Sequence, residues 1–325
     1  MGCQGLKDLP PPPQGKGGWP WTEEAPQLPD SMPNGQPWPR ITIITPSYNQ
    51  GEFIEETIRS VLLQGYPNLE YIVIDGGSTD GSVEIIKKYE AWLTYWVSEP
   101  DHGQSHAINK GFEHTHGEIL AWINSDDLYA PGAFRKMGQA VKDIRGSGSS
   151  WEGWFIGECL YWNTGTDEKD PLIPEAPPED PVKLLRWRCP QRSSFWSKSC
   201  WDRVGPLSED LHFAFDTEFF LRLAFSGYRP ILLPEVLAMA RIHPQCKTVL
   251  RSEDWGPETL IIYDRLAGFL DPAFRERVRR AVRTDLARVR YRQAWDQGRW
   301  LSAMVAATKI LWYSLPWNRQ EGLSI

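Results

Sequence analysis

Between residues 40 and 144, short apolar runs rich in β-branched side chains alternate with stretches whose apolar residues recur at helical spacing. No other feature constrains the fold so strongly. Arg40 to Thr45 reads as a strand and Glu52 to Gln64 as a helix, with Ile54, Ile58, Val61 and Leu62 on one face and Gly65 and Pro67 as its stop. Tyr71 to Ile74, Leu93 to Ser98 and the run from Ile119 repeat the strand signal. Ser82 to Glu90, Ser105 to Phe112 and Ala133 to Ile144 repeat the helix signal. Strands joined through helices predict an α/β domain with a Rossmann-like, mostly parallel central sheet and helices on both faces. Such a sheet gathers its loops along one carboxyl edge, where open α/β folds bind their ligands.

The flanking regions differ in composition. Residues 1–39 carry Pro10 to Pro13, several glycines and the Trp19, Pro20, Trp21 cluster, which predicts an extended leader draped on the core through its tryptophans. Residues 40–145 form the alternating half. After the glycine- and serine-rich break at 146–150, residues 146–256 give a second half: Trp-rich strand signal at 154–162, a polar, proline-rich surface loop at 164–181, a strand at 193–197, a helix at 215–226 and a strand at 236–242. Residues 257–325 predict a helical extension dense in arginine. A basic helix suits either an anionic membrane surface or a solvated face, and both readings stay open for this segment.

The net charge of −7 argues against a nucleic-acid partner, which normally leaves a basic footprint. The cysteines (Cys3, Cys159, Cys189, Cys200, Cys246) are odd in number, scattered and without a C-x-x-C pair, so neither a disulfide framework nor a zinc site is indicated. No apolar run of membrane-spanning length and no apolar signal core occur, and Leu301 to Tyr313 is too short to span. A cytoplasmic protein is expected, with the inner membrane face as a peripheral site. Seventeen tryptophans fit core and cleft packing.

Three loops fall at the predicted edge: Pro46 to Asn49, Asp75 to Asp80 and Asn124 to Asp127. Asp126 and Asp127 leave a buried strand together, and two hard oxygen donors there suit Mg²⁺ or Mn²⁺ holding a diphosphate; Asn, Ser and Asp are also ordinary turn residues. Tyr48 offers either an aromatic face for a nucleobase or a core ring. Asp75 can accept hydrogen bonds from a base or ribose, or form an Asx turn. Asp216 opens a helix, where an acid complements the dipole. His243 closes a strand as either a Mn²⁺ ligand or a structural histidine.

The ordered set of loops resembles a family-2 glycosyltransferase of the GT-A fold. The likeness continues through Gly103 to Gly111, through Gly117 to Leu120, and from the run ending Asp216, Thr217, Glu218 to Arg222, covering about Ile41 to His243. The resemblance implies inverting transfer from a nucleoside-diphosphate sugar to a glycan or glycolipid acceptor hydroxyl, in cell-surface polysaccharide or glycolipid assembly. It implies a donor site lined by Pro46, Tyr48, Asn49, Asp75, Gly77, Ser78, Gln104, Asn109 and Asn124. Asp126, Asp127 and His243 are the implied metal ligands, and Asp216 is the implied catalytic base. The chain departs from the family at two places: Gly76 stands where a second acid is usual, and Asn124 stands where the Asp-x-Asp metal motif begins. Two rival expectations are a non-catalytic nucleotide- or glycan-binding module and a sugar nucleotidyltransferase. The second lacks its usual Gly- and Arg-rich loop at Thr45 to Gly51.

Overall fold

The computed structural model describes residues 3–146, 151–185, 187–246, 255–266 and 272–314; of the break expected at 146–150, Gly146 ends a helix and 147–150 lie outside the described residues. Two compact units divide the chain: Met1–Pro177 with Arg188–Leu250, and Pro178–Trp187 with Arg251–Ile325.

The first unit is built on a nine-stranded sheet among the described residues. Its first half comprises β1 (Ile41–Ser47), β2 (Leu69–Asp75), β3 (Tyr95–Ser98) and β4 (Ile119–Trp122), ordered β3-β2-β1-β4 and all parallel. β1 is buried along its whole length, which explains its β-branched run: a central parallel strand covered on both faces needs no polar alternation. The crossovers carry α1 (Ile54–Leu62), α2 (Ser82–Tyr89) and α3 (Gln104–Glu113). α3 lies close on β1 because Gly111 has no side chain; a Cβ there would meet Ile44 Cγ2 at 2.7 Å.

Beyond β4 the sheet becomes mixed. β5 (Leu128–Tyr129), β6 (Trp154–Asn163), β7 (Glu168–Leu172), β8 (Ser194–Ser197) and β9 (Pro230–Ile242) extend it in the order β4-β8-β6-β9-β5, with β7 paired to β6. β4 and β6 run antiparallel to β8, whereas β6 and β9 are parallel. Two expectations are corrected here. The polar segment 164–181 contains a strand, because β7 pairs antiparallel with the end of β6 in a hairpin whose residues are mostly exposed. Its signal is weak because it has no buried face to imprint on the sequence. Likewise, β9 begins at Pro230, six residues before the expected start, since its exposed first half pairs with β6.

Aromatic side chains join the two halves of the sheet. Trp122 of β4 lies 5.2 Å from Trp196 of β8, and Trp154 of β6 stacks at 5.2 Å on Phe220 of α7 (Phe215–Phe225). The leader is indeed docked. Trp21 and Trp38 are buried, and the buried Arg59 of α1 donates to the carbonyls of Pro10, Pro20 and Trp21. α4 (Ala133–Gly146) and α6 (Lys198–Val204) complete this unit.

The second unit holds the short α5 (Pro181–Leu184), then α8 (Trp255–Leu266), α9 (Pro272–Asp296) and α10 (Trp300–Ser314), the helical extension foreseen from residue 257. Nothing in the sequence assigns 178–187 to it; the tie is long-range, with Tyr263 Oη donating to the Leu185 carbonyl at 3.2 Å. No helix of the described residues is long and apolar enough to cross a membrane.

Candidate active site

Two loops at the carboxyl edge are fastened to one another before they face anything else. The Asn49 amide donates to Ser78 Oγ at 2.7 Å, and Thr79 N donates to Asn49 Oδ1 at 2.9 Å. Gln50 N reaches Ser82 Oγ, and Gly51 N reaches Asp80 Oδ2. Asp75 is fully buried, and its carboxylate accepts from Gly77 N, Ser78 N, Ser78 Oγ and Ser98 Oγ at 2.6 to 3.1 Å. Those four bonds make Asp75 an Asx-type loop former. Gly77 adopts φ +84°, a conformation suited to glycine. Asn49, Asp75, Gly77 and Ser78 therefore shape the loops with their polar groups. Pro46 lies inside β1, opposite Ile74, and is buried rather than in the loop. Tyr48, by contrast, projects with 62% of its surface exposed, leaving a ring face open at the edge.

Gly76 explains a residue that motif reading passes over. A Cβ built there would stand 2.7 Å from Asp101 Oδ2, so the Asp101 carboxylate occupies the space a side chain at 76 would need. Asp101 Oδ1 accepts from Gly103 N at 2.8 Å, and Oδ2 has no partner among the described residues. A carboxylate from the loop after β3 thus lies beside position 76. The sequence held a faint signal, an aspartate directly after Pro100 at the exit of a strand.

The third loop, Asn124 to Asp127, is a tight turn closed by Asp127 N to the Asn124 carbonyl at 3.0 Å. Thr57 Oγ1 of α1 donates to the carbonyls of Ser125 and Asp127, which fixes the turn against the helix. The two neighbouring acids have different tasks. Asp127 is fully buried, and its carboxylate takes Arg192 Nε at 2.5 Å, Asn124 Nδ2 at 3.2 Å and Arg241 N at 3.0 Å. Burial pushes its carboxyl up to about 6 while the Arg192 guanidinium pulls the other way. Asp126 turns outward: its Oδ2 lies 3.2 Å from His243 Nε2, and His243 Nδ1 lies 3.0 Å from Gln245 Oε1. The Asp126 hydrogen bond, helped by Gln245, raises the His243 pKa against the opposing effect of burial. Phe53 packs on the imidazole with ring centres 4.3 Å apart.

Asp126, His243 and Cys246 have ligand atoms within 4.8 Å of one another. The thiol is already engaged, since Cys246 Sγ donates to the Arg241 carbonyl and receives the His243 amide. Asp126 and His243 Nε2, which face one another at 3.2 Å, leave one carboxylate and one imidazole nitrogen that an ion could bridge, an oxygen and nitrogen set that fits Mg²⁺ or Mn²⁺ sharing its shell with phosphate oxygens. Asp127 does not join that cluster. Gln104 Nε2 donates to Asn124 Oδ1 at 2.7 Å, so Gln104, Asn124, Asp127 and Arg192 form one hydrogen-bonded row. Asn109 lies away from the row, its amide bonded to Leu207 and Glu209. Glu209, His102 and His106 form a second set with ligand atoms within 4.8 Å.

Asp216 stands in the first turn of α7, half-buried. The carboxylate accepts from Thr217 N at 2.5 Å and also bonds the Thr217 side chain. Burial raises its pKa, with Arg192 and Arg188 opposing. Glu218 faces the core instead, paired with Arg222 at 2.8 Å, and Arg222 holds the carbonyls of Val204 and Pro206. Arg192 carries no motif, yet its charge is felt by Asp126, Asp127 and Asp216 alike. A single arginine just ahead of a buried strand is the only hint the sequence contains.

Comparison with known proteins bears on the family and the fold. Residues 42–166 match the family model described as Glycosyl transferase family 2. The uncharacterized glycosyltransferase Rv1514c of Mycobacterium tuberculosis is 33% identical over 189 residues, 57% of this chain and 69% of that protein. The putative teichuronic acid biosynthesis glycosyltransferase TuaG of Bacillus subtilis is 37% identical over 102 residues, 30% of this chain and 40% of its own length. Among solved structures, S. aureus TarS 1-349 in complex with UDP-GlcNAc superposes with TM-score 0.58 at 17% identity, covering 77% of this chain and 72% of that one. Against a longer TarS crystal structure the TM-score is 0.56 at 19% identity, and the match covers 77% of this chain and 43% of the TarS chain. At these identities the likeness to TarS shows the fold, which is GT-A. With a third of the aligned residues identical across more than two-thirds of Rv1514c, the chain belongs to glycosyltransferase family 2.

Proposed function

We propose that this protein moves a sugar from a nucleoside-diphosphate donor to an acceptor hydroxyl with inversion, in the assembly of a cell-surface polysaccharide or glycolipid. One observation carries the reading: Arg192 Nε is bonded to Asp127 of the Asp126–Asp127 turn at 2.5 Å while its charge also lowers the pKa of Asp216, which supports a leaving-group subsite and a candidate base in one site. The UDP-GlcNAc complex of TarS and the teichuronic acid assignment of TuaG support the donor and the pathway class.

In this reading the exposed Tyr48 ring stacks on the nucleobase, and Asp101 Oδ2 accepts from the base or ribose in place of an acid at position 76. Asp126 and His243 would hold Mg²⁺ or Mn²⁺, whose chemistry is to stabilise negative charge on the departing diphosphate. Asn124, oriented by Gln104 and Asp127, hydrogen-bonds the donor sugar. Asp216 takes the acceptor proton as the acceptor oxygen bonds the anomeric carbon. The bond from that carbon to phosphate breaks, and the nucleoside diphosphate leaves with the electron pair. Arg192 balances the charge of Asp127 and opposes the rise that burial imposes on the Asp216 pKa.

Incubation with a panel of nucleotide-sugars, Mn²⁺ and candidate glycan acceptors, followed by proton NMR of the product, tests the proposal. A transferred sugar with anomeric configuration opposite to the donor is expected. Retention contradicts the inverting mechanism, and no turnover of any donor that demonstrably binds contradicts the transfer itself and returns weight to the binding-module reading.

A further inference from the structure

The hairpin of α9 and α10 is packed inside out. Ala287 and Ala294 of α9 and Ala303 and Ala306 of α10 are buried, whereas Trp300, Leu301, Met304, Val305, Leu311 and Trp312 of α10 are exposed, Leu301 by 82%. A helix that only had to pack on its neighbour would bury the large apolar side chains and expose the small ones. Alanines along the inner seam let two helices approach closely, and the large side chains are left as one contiguous apolar face. Patches of that kind mark interaction surfaces.

The charge says what covers it. Residues 272–314 contain ten arginines and lysines against three acids, in a chain whose overall charge is −7. Arg279, Arg280 and Arg288 are each paired with an acid. Arg283, Arg290, Arg299 and Lys309 make no ion pair among the described residues, and these four line a cavity of about 600 Å³ beside Leu301 and Val305. Unpaired cations therefore border the exposed apolar face. At the turn, Trp295 and Trp300 sit edge to face at 4.6 Å, both half-exposed, as amphipathic rings do at a membrane interface. A second copy of the hairpin would bring two arginine-rich faces together, and a nucleic acid offers nothing to Leu301, Met304 and Leu311.

We infer that the α9–α10 hairpin is a docking surface for an anionic phospholipid bilayer. Lipid phosphates enter the groove between Arg283, Arg290, Arg299 and Lys309, and the apolar face of α10 sinks into the acyl boundary. With 15 residues, α10 is about 22 Å long, too short for the hydrocarbon core, so it lies in the membrane plane. This goes beyond the transfer reaction and stands whether or not that reaction is as proposed. For a transferase it would place the enzyme where lipid-linked acceptors are found.

Flotation of the full chain with vesicles tests it. Phosphatidylcholine vesicles containing phosphatidylglycerol should carry the protein, neutral phosphatidylcholine vesicles should not, and added salt should release it. Arg290→Gln with Arg299→Gln should lower partitioning about thirtyfold, from about a fivefold loss per cation. Leu301→Asp should also release the protein, with the melting temperature unchanged because the side chain is exposed. No flotation, equal flotation on neutral vesicles, or a dimer in light scattering that Leu301→Asp dissociates without vesicle binding would each overturn the inference.

Discussion

The two halves of the catalytic unit build their parts of the site differently. In the first half, Asn49, Asp75, Gly77, Ser78 and Asp80 act through short contacts within and between adjacent loops, and most of their polar groups are consumed in shaping backbone. In the second half, Arg192, Asp216 and His243 come from three separate elements; Arg192 and His243 reach Asp127 and Asp126 far away in the chain, and the charge of Arg192 is felt by Asp216. The first half makes a rigid rim; the second brings charge to it. Within the turn Asn124 to Asp127 the same division separates neighbours: Asp127 is tied inward to Arg192, and Asp126 is turned outward to His243.

That contrast is breakable by mutation. Asp127→Ala strands Arg192 without its buried partner and should cost about 3–5 kcal/mol of stability, read in denaturant melts. Asp126→Ala should leave the melt nearly unchanged and instead reduce Mn²⁺-dependent nucleotide affinity by on the order of 10²-fold in calorimetry. If the two variants behaved alike, the division of labour would be wrong. A smaller effect belongs to the rim. Asp101→Asn retains an acceptor for Gly103 N while replacing the free oxygen with a donor, and should weaken nucleotide binding by about 1.5–3 kcal/mol without altering the fold. Unchanged affinity would remove Asp101 from base or ribose recognition. The smallest effect is on pH. Because burial raises the Asp216 pKa, kcat/KM should fall as pH drops through that raised value, placing the acid limb above the ordinary aspartate range of about 3.9. An acid limb at or below that range would contradict the assignment.

How much was legible in the sequence follows the same line. The parallel half of the sheet was readable because β1, β2 and β4 are buried strands flanked by helices with clean periodicity. The edge loops were readable because turn chemistry is local. Roles within them were harder: whether Asp75 serves the ligand or the loop depends on Ser98, which reaches it from the next strand. Arg192 and Asp101 were invisible as site residues because their significance lies in contacts spanning 65 residues and in the space left by Gly76. β7 escaped because an exposed hairpin arm has no buried face to pattern.

The most direct test of the account is Asp216→Asn, which keeps size and the hydrogen bond to Thr217 but cannot accept the acceptor's proton. Single-turnover transfer should drop by on the order of 10³-fold, while calorimetric affinity for the nucleotide with Mn²⁺ stays within about twofold of wild type. Transfer at the wild-type rate by this variant, on an acceptor that the wild type is shown to use, would contradict the claim that Asp216 completes the site.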